Sequence, residues 1–168
     1  MKEVIDAFTG ELKISASDNI LRALALGSCI AVVAYDVKNR IGGIAHIMLS
    51  GKAPENKKED ENKYAENAIS NLLLQMQKAG ADKEEMEFCL AGGANVLQRK
   101  DDSIGQNNIS SVEEMLRDKQ IRIAARSLGG IERRCVTLDV ETGCLNLSIG
   151  NSLEKLFWEF KSSKREIK

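Results

Sequence analysis

The organisation of this chain is set by residues 24–33, which read LALGSCIAVV. Two short apolar runs without proline meet at Gly27 and Ser28, and such runs are typical of buried strands. A glycine at the joint lets the main chain turn tightly or bring an amide close to a ligand. Cys29 follows the joint directly. The sequence therefore predicts two buried strands with a cysteine at the turn between them.

The only histidine of the chain, His46, lies in another apolar run, GIAHIML over residues 43–49. The polar segment 36–40 predicts a hairpin that places Cys29 and His46 on neighbouring strands. A cysteine becomes a nucleophile when a base takes its proton, and histidine is the usual base. A buried cysteine is more often a packing residue, and a histidine in an apolar run is more often a hydrogen-bonded core residue. The residues alone leave the catalytic and the packing interpretations open.

The composition predicts one compact domain over residues 1–168. With 43% hydrophobic residues and one proline, the chain can bury a core without metals or disulfides. Lys+Arg number 24 and Asp+Glu 25, so no global field favours nucleic acid or an anionic membrane. No apolar run reaches the roughly 18 residues of a membrane helix, and the first residues lack the features of a signal peptide. We therefore expect a cytoplasmic protein without membrane insertion.

The cysteines do not form a metal or redox motif. Cys29, Cys89, Cys135 and Cys144 contain no CxxC pair, and a single histidine argues against a zinc site. A reducing cytoplasm keeps such cysteines as thiols. We expect no metal and no cofactor, and three of the four cysteines are expected to be inert packing residues.

Hydrophobic periodicity predicts the element order β-β-β-α-β-α-β-β-β-α, after an irregular start with one short strand. The clearest helix is expected over residues 63–79. A second helix is expected from about Ile109 to Lys119, with Asn107 or Asn108 as its cap. Helical spacing of apolar residues predicts a last amphipathic helix and a basic tail within residues 151–168. This order is typical of an α/β sandwich with mixed strands rather than a doubly wound sheet.

Short motifs follow one another in a fixed order between about residues 20 and 150. They are LGSC at 26–29, GIAHIML at 43–49, KYA at 63–65, GGAN at 92–95, IGQNN at 104–108, LGG at 128–130 and ETG at 141–143. Together they resemble the signature of the CheD family, the chemoreceptor glutamine deamidases of bacterial and archaeal chemotaxis. The resemblance leaves the expected last helix and tail, residues 151–168, outside the matched core. It implies a three-layer α/β sandwich with mixed β-sheets, similar to bacterial toxin deamidases.

The same resemblance implies an enzyme that hydrolyses selected glutamine side chains of chemoreceptor cytoplasmic helices to glutamate and ammonia, in chemotactic adaptation. It also implies a CheC-like phosphatase as a partner. In this chemistry Cys29 is the nucleophile that forms a thioester, and His46 is the general base and acid. Amides near the turn of Gly27 and Ser28 are the expected oxyanion donors.

One position departs from the family pattern. The family usually carries a threonine six residues before the cysteine, where it is thought to orient the histidine, and this chain has Ala23 there. An orienting group fixes the tautomer of the imidazole, so its loss slows catalysis. Ser28 or a backbone carbonyl is an alternative orienting group. An alternative function also follows, a weakly active or inactive CheD-like regulator that binds a CheC-type phosphatase or receptor helices.

Overall fold

The computed structural model describes residues 1–161, which form ten strands and two α-helices. The strands are β1 (Glu3–Asp6), β2 (Leu12–Ser15), β3 (Asn19–Leu26), β4 (Ile30–Asp36), β5 (Ile41–Ile47), β6 (Met86–Gly92), β7 (Ile123–Leu128), β8 (Arg134–Asp139), β9 (Cys144–Ile149) and β10 (Lys155–Glu159). The helices are α1 (Ala65–Lys78) and α2 (Ile104–Asp118), and two 3₁₀ segments span Glu55–Lys63 and Lys83–Glu85.

The strands form two five-stranded sheets. The first sheet has the order β1-β3-β8-β9-β10, and the second has the order β2-β5-β4-β6-β7. Each sheet contains one parallel pair, β1 with β3 in the first and β6 with β7 in the second, and its other pairs are antiparallel. The expected α/β class with mixed sheets is therefore confirmed.

Strand β4 lies at the centre of the molecule and is buried on both faces. Val32 and Ala34 pack into the core beneath the helices, whereas Ala31 and Val33 pack into a separate core between the two sheets. The layers thus run from the helices through the second sheet to the first sheet. An uninterrupted apolar run is what a strand buried on both faces requires. The likeness to toxin deamidases stays a prediction.

The two α-helices agree unequally with the sequence prediction. Helix α1 buries the apolar positions that the periodicity indicates, whereas α2 begins at Ile104, about five residues before its predicted start. The added first turn of α2 packs against the loop after β6 at Gly105. The packing there is close, because a Cβ on Gly105 would lie 2.5 Å from the carbonyl oxygen of Gly93. Asn107 and Asn108 both lie inside α2, and Ser103 is at its N-cap position, so neither predicted cap is correct. Within the described residues, no helix combines the length and apolar character needed to cross a membrane.

The predictions for the two chain ends are only partly correct. The one short strand predicted at the start is present as β2, but the segment predicted to be irregular also contains β1, which pairs with β3. The expected helix within residues 151–168 is replaced by β10, which pairs with β9. Pairing with an open strand edge outweighs the helical spacing, because Phe160 then fills the inter-sheet core and stacks on Tyr35 with ring centroids 5.3 Å apart. The tail at 162–168 lies outside the described residues.

Candidate active site

The hairpin of β4 and β5 brings the predicted cysteine and histidine to one face of the second sheet. Ile30 pairs with Ile47 and Ala31 pairs with His46 across the antiparallel strands. Cys29 lies two residues before Ala31, and side chains two residues apart share a face, so Cys29 is the diagonal neighbour of His46. Cys29 packs against the core between the sheets. The thiol and the imidazole therefore face the same inter-sheet layer.

The imidazole of His46 is held by one nitrogen and unpaired at the other. The side chain is 3% exposed, and Nδ1 lies 2.8 Å from the carbonyl oxygen of Ala7. A carbonyl only accepts, so Nδ1 carries the proton and Nε2 of the neutral ring has a free lone pair. Nε2 is buried and has no hydrogen-bond partner among residues 1–161. Burial lowers the pKa of His46, and the bond to Ala7 opposes that shift in part.

A turn over residues 7–11 also holds the main chain of His46. The amide of Gly10 donates to the His46 carbonyl at 2.8 Å, and the amide of His46 donates to the Glu11 carbonyl at 3.0 Å. Together with the bond at Nδ1, three hydrogen bonds tie this residue to a single short segment. The N-terminal segment therefore fixes both the position and the tautomer of the imidazole.

The acceptor for the imidazole lies beside Ala23, the position where the resemblance leads us to expect a threonine. Asp6 pairs in register with Arg22 and accepts two hydrogen bonds from its guanidinium, at 2.6 and 3.0 Å. The amide of Ala7 donates to the Arg22 carbonyl at 2.8 Å, which places Ala7 next to the fully buried Ala23. Of the two alternative orienting groups, a backbone carbonyl, that of Ala7, is the one that binds the imidazole. The Ser28 hydroxyl makes no hydrogen bond within residues 1–161.

The turn before Cys29 has its carbonyls occupied and its amides free. The Gly27 carbonyl accepts from the amide of Ala94 at 2.8 Å, and the Cys29 carbonyl accepts from the amide of Gly93 at 2.9 Å. The Ser28 carbonyl accepts from a side chain on α2 at 2.9 Å. Among residues 1–161, none of the three N–H groups of this turn donates a hydrogen bond. Free amides on a fixed turn are suited to bind a developing oxyanion.

Gly92, at the end of β6, permits the close approach that fixes this turn. Its φ is +123°, a conformation that favours glycine, and a Cβ here would collide with the carbonyl oxygen of Cys29. Paired glycines at a strand end permit a close approach to a ligand or to another strand. The structure shows that the approach is to the main chain of the cysteine turn.

The electrostatics favour a neutral pair at rest. Burial raises the pKa of the half-buried Cys29 thiol, while the pKa of His46 is lowered, so neither group is driven to ionise. No hydrogen bond joins the two side chains within residues 1–161. Of the other cysteines, Cys89 is fully buried with its pKa raised to about 12, and Cys135 and Cys144 lie on the first sheet. Cys29 is the cysteine placed diagonal to the histidine.

Asn108 is the residue of the site that the sequence interpretation assigned to another role. Its side chain is 1% exposed on the inner face of α2, and Nδ2 donates to the Ser28 carbonyl at 2.9 Å and to the Met48 carbonyl at 3.0 Å. The signal for burial was present, because Asn108 shares its helical face with Val112 and Leu116. A polar residue on an apolar helical face requires an internal partner.

Residues 1–161 contain no group of possible metal ligands near the cysteine. Among these residues, the acidic groups close enough to share a cation are Asp18, Asp139 and Glu141. The Lys2 ammonium lies among them, at 3.0, 2.8 and 2.7 Å respectively. Asp139 is the last residue of β8. The first residue of that strand, Arg134, pairs with Leu26 next to the cysteine turn, so the acidic cluster lies at the opposite end of β8. A lysine ammonium thus already occupies the centre of this acidic cluster.

Comparison with known proteins identifies the class to which this fold and site belong. The family model described as "CheD chemotactic sensory transduction" matches residues 48–148. The chain belongs to the CheD family.

Individual relatives extend the similarity over most of the chain. A probable chemoreceptor glutamine deamidase CheD of Chlorobium luteolum is 36% identical over 156 residues, which are 93% of this chain and 78% of the relative. The chemoreceptor glutamine deamidases CheD of Thermotoga maritima and Halalkalibacterium halodurans are 35% and 32% identical, over 86% and 92% of this chain and 90% and 99% of their own. The family model begins after Cys29 and His46. The similarity to the Chlorobium relative covers all but 12 residues of this chain, so the positions of Cys29 and His46 both lie within it.

Proposed function

We propose that this chain is a chemoreceptor glutamine deamidase that works through Cys29 and His46, as a single cytoplasmic domain in chemotactic adaptation. The names of its relatives supply the substrate class. The observation that carries the chemistry is the buried, unpaired Nε2 of His46 on the face that Cys29 shares. A buried nitrogen without a hydrogen-bond partner lowers the stability of the fold, so its presence favours a functional role.

The first half of the reaction forms a thioester. Nε2 of His46 accepts the proton of the Cys29 thiol as Sγ attacks the carboxamide carbon of the substrate glutamine. The carbonyl oxygen becomes an oxyanion, and free amides of the turn at Ser28 and Cys29 are placed to bind it. The tetrahedral adduct then collapses. The C–N bond breaks, the imidazolium gives its proton to the leaving nitrogen, and ammonia departs.

The second half restores the enzyme. Nε2 of His46 accepts a proton from a water molecule as its oxygen attacks the thioester carbon, and the same amides hold the second oxyanion. The C–S bond breaks, the proton returns to sulfur, and glutamate is released. A neutral thiol beside a neutral imidazole suits this sequence, because the base then takes the proton during the attack. The Ala7 carbonyl keeps Nδ1 protonated throughout, which leaves Nε2 as the working nitrogen.

The surface around the cysteine turn supports a helical substrate. Exposed apolar side chains lie next in the chain to residues of the site or of its supporting elements: Phe8 at 63%, Met48 at 38% and Leu97 at 65%. Phe8 follows the residue that binds the imidazole, Met48 follows β5, and Leu97 follows Val96, which packs over Gly27. Apolar side chains around a site are suited to hold an amphipathic helix. This agrees with chemoreceptor cytoplasmic helices as the substrate.

A second candidate function is a weakly active or inactive regulator that binds a CheC-type phosphatase or receptor helices. Ala23 in place of the usual threonine, together with the raised pKa of the Cys29 thiol, favours it. A raised pKa disfavours the thiolate, and the hydroxyl that the family usually offers to the histidine is missing. The regulator and the deamidase differ in turnover, and both bind partners.

The deciding experiment measures deamidation of purified chemoreceptor cytoplasmic fragments. Fragments are incubated with the wild-type chain, with Cys29→Ala and with Cys135→Ala, and each glutamine is followed by peptide mass mapping. We expect conversion to glutamate with the wild type and with Cys135→Ala, and none with Cys29→Ala. Cys135 is a suitable control because it is a part-buried thiol on the first sheet. No conversion over hours, together with tight binding to a CheC-type phosphatase, would favour the regulator.

A further inference from the structure

The buried amide of Asn108 joins the two chain segments that carry the cysteine and the histidine. Its Nδ2 donates to the carbonyl of Ser28, one residue before Cys29, and to the carbonyl of Met48, two residues after His46. The β4–β5 pairing ends at the pair of Ile30 and Ile47, two residues after Ser28 and one residue before Met48. Asn108 therefore bridges the hairpin just beyond its last paired residues.

The chemistry of the bridge admits few side chains. Both acceptors are main-chain carbonyls, so the bridging atom must carry two N–H groups, and a short neutral amide does this without burying a charge. The opposite orientation of the amide would set Oδ1 against two oxygens, so the assignment of Nδ2 follows from the contacts. An aspartate of the same shape would remove both donors and bring a carboxylate to two carbonyls.

Helix α2 holds this amide in a fixed place. Gly105, one turn earlier, packs against the Gly93 carbonyl, and the Gly93 amide donates to the Cys29 carbonyl at 2.9 Å. The helix thus contacts the cysteine turn through the loop after β6 as well as through Asn108. Small displacements at such a turn matter, because a shift of about 1 Å can slow a reaction about 100-fold.

We propose that Asn108 is a positioning residue that sets the separation between Sγ of Cys29 and Nε2 of His46. This role rests on the deamidase function proposed above. Asn108 touches neither reacting atom; it acts by fixing the Ser28 and Met48 carbonyls on the two sides of the hairpin.

The test compares Asn108→Asp with Asn107→Asp. The first variant keeps the size of the side chain and removes both donors. The second makes the same change one residue earlier, at an exposed position whose amide donates to Ser103 Oγ at 3.3 Å. If Asn108→Asp does not fold, Asn108→Ser, which retains a single donor, replaces it in every measurement.

The primary readout is the rate at which iodoacetamide alkylates Cys29 across neutral pH, measured by peptide mapping. It needs no receptor, so it is independent of the deamidase function. In a double-mutant cycle with His46→Gln, we expect each single change to slow alkylation about tenfold relative to Asn107→Asp, and the double variant to be no slower than either single. This result means that Asn108 acts through the histidine. Multiplied effects, or alkylation as fast as in Asn107→Asp, would overturn the proposal.

Deamidation of receptor fragments provides the second readout. We expect Asn108→Asp to lower kcat about 100-fold and to leave KM within about a factor of two, because only the alignment of the reacting groups changes. A rise in KM with an unchanged kcat would overturn the positioning role. If the wild type deamidates nothing while the alkylation cycle shows coupling, the deamidase function fails and the bridge between Cys29 and His46 stands.

Discussion

Replacing Ala23 by threonine restores the side chain that the family usually carries, and we expect it to bring no gain in activity. The imidazole that such a hydroxyl would orient already donates from Nδ1 to the Ala7 carbonyl at 2.8 Å. A second acceptor at the same N–H could at most share that bond. Ala23 is fully buried between the sheets, so the two added heavy atoms overpack the core and lower the free energy of unfolding by about 1–3 kcal/mol.

Ala23→Val is the matched control, because valine has the shape of threonine without its hydroxyl. Both variants are expected to lower Tm by about 2–4 °C for each kcal/mol lost. We expect kcat/KM for receptor deamidation to stay within about threefold of the wild type in both, measured by peptide mapping, because a tenfold change requires about 1.4 kcal/mol at the transition state. A rise of about tenfold or more in Ala23→Thr but not in Ala23→Val would show that the Ala7 carbonyl does not orient the histidine.

Three further predictions concern protonation, the cysteine turn and the corrected C-terminal strand. The folded pKa of His46 lies below its ordinary value of 6.5, so the acid limb of kcat/KM should fall below pH 6.5. Because the folded pKa is lowered, the unfolded chain binds the proton first, and stability is lost as pH falls from 6.5 through the folded pKa; His46→Gln should flatten this dependence of stability on pH. Gly92→Ala should destabilise the protein in urea clearly more than Gly51→Ala, which also has a positive φ but open space and should cost about 1–2 kcal/mol; equal losses would mean that the contact with the Cys29 carbonyl is not tight. Phe160→Ala should cost about 3–5 kcal/mol in the same assay, since the ring is 3% exposed, and a loss under about 1 kcal/mol would contradict its place in the core.

The hairpin and the long helix could be predicted from local pattern. Ile30 to Tyr35 is apolar at every position, and α1 repeats its apolar residues at helical spacing, so each segment carries its own signal. The strands β1 and β10 lack such a signal. They form because β3 and β9 offer open edges, and an open edge is a property of the folded sheet that a local window of sequence does not record.

The candidate site could be predicted only as far as its side chains. Cys29 and His46 stand out by residue type, whereas their supports are main-chain groups brought together from far along the chain. The Ala7 carbonyl lies 39 residues from His46, and the carbonyls bound by Asn108 lie 80 and 60 residues from it. A carbonyl has no residue type, so composition and spacing carry no trace of its role.

The carbonyl that holds His46 has a consequence for how this site tolerates substitution. Every amino acid supplies a carbonyl, so exchanging the Ala7 side chain for another small residue leaves the acceptor in place, and an alanine-type scan would pass over it. The acceptor is lost only when the main chain moves, as after an inserted or deleted residue between Asp6 and Gly10. In this site, chain length near the N-terminus is therefore under tighter constraint than residue identity.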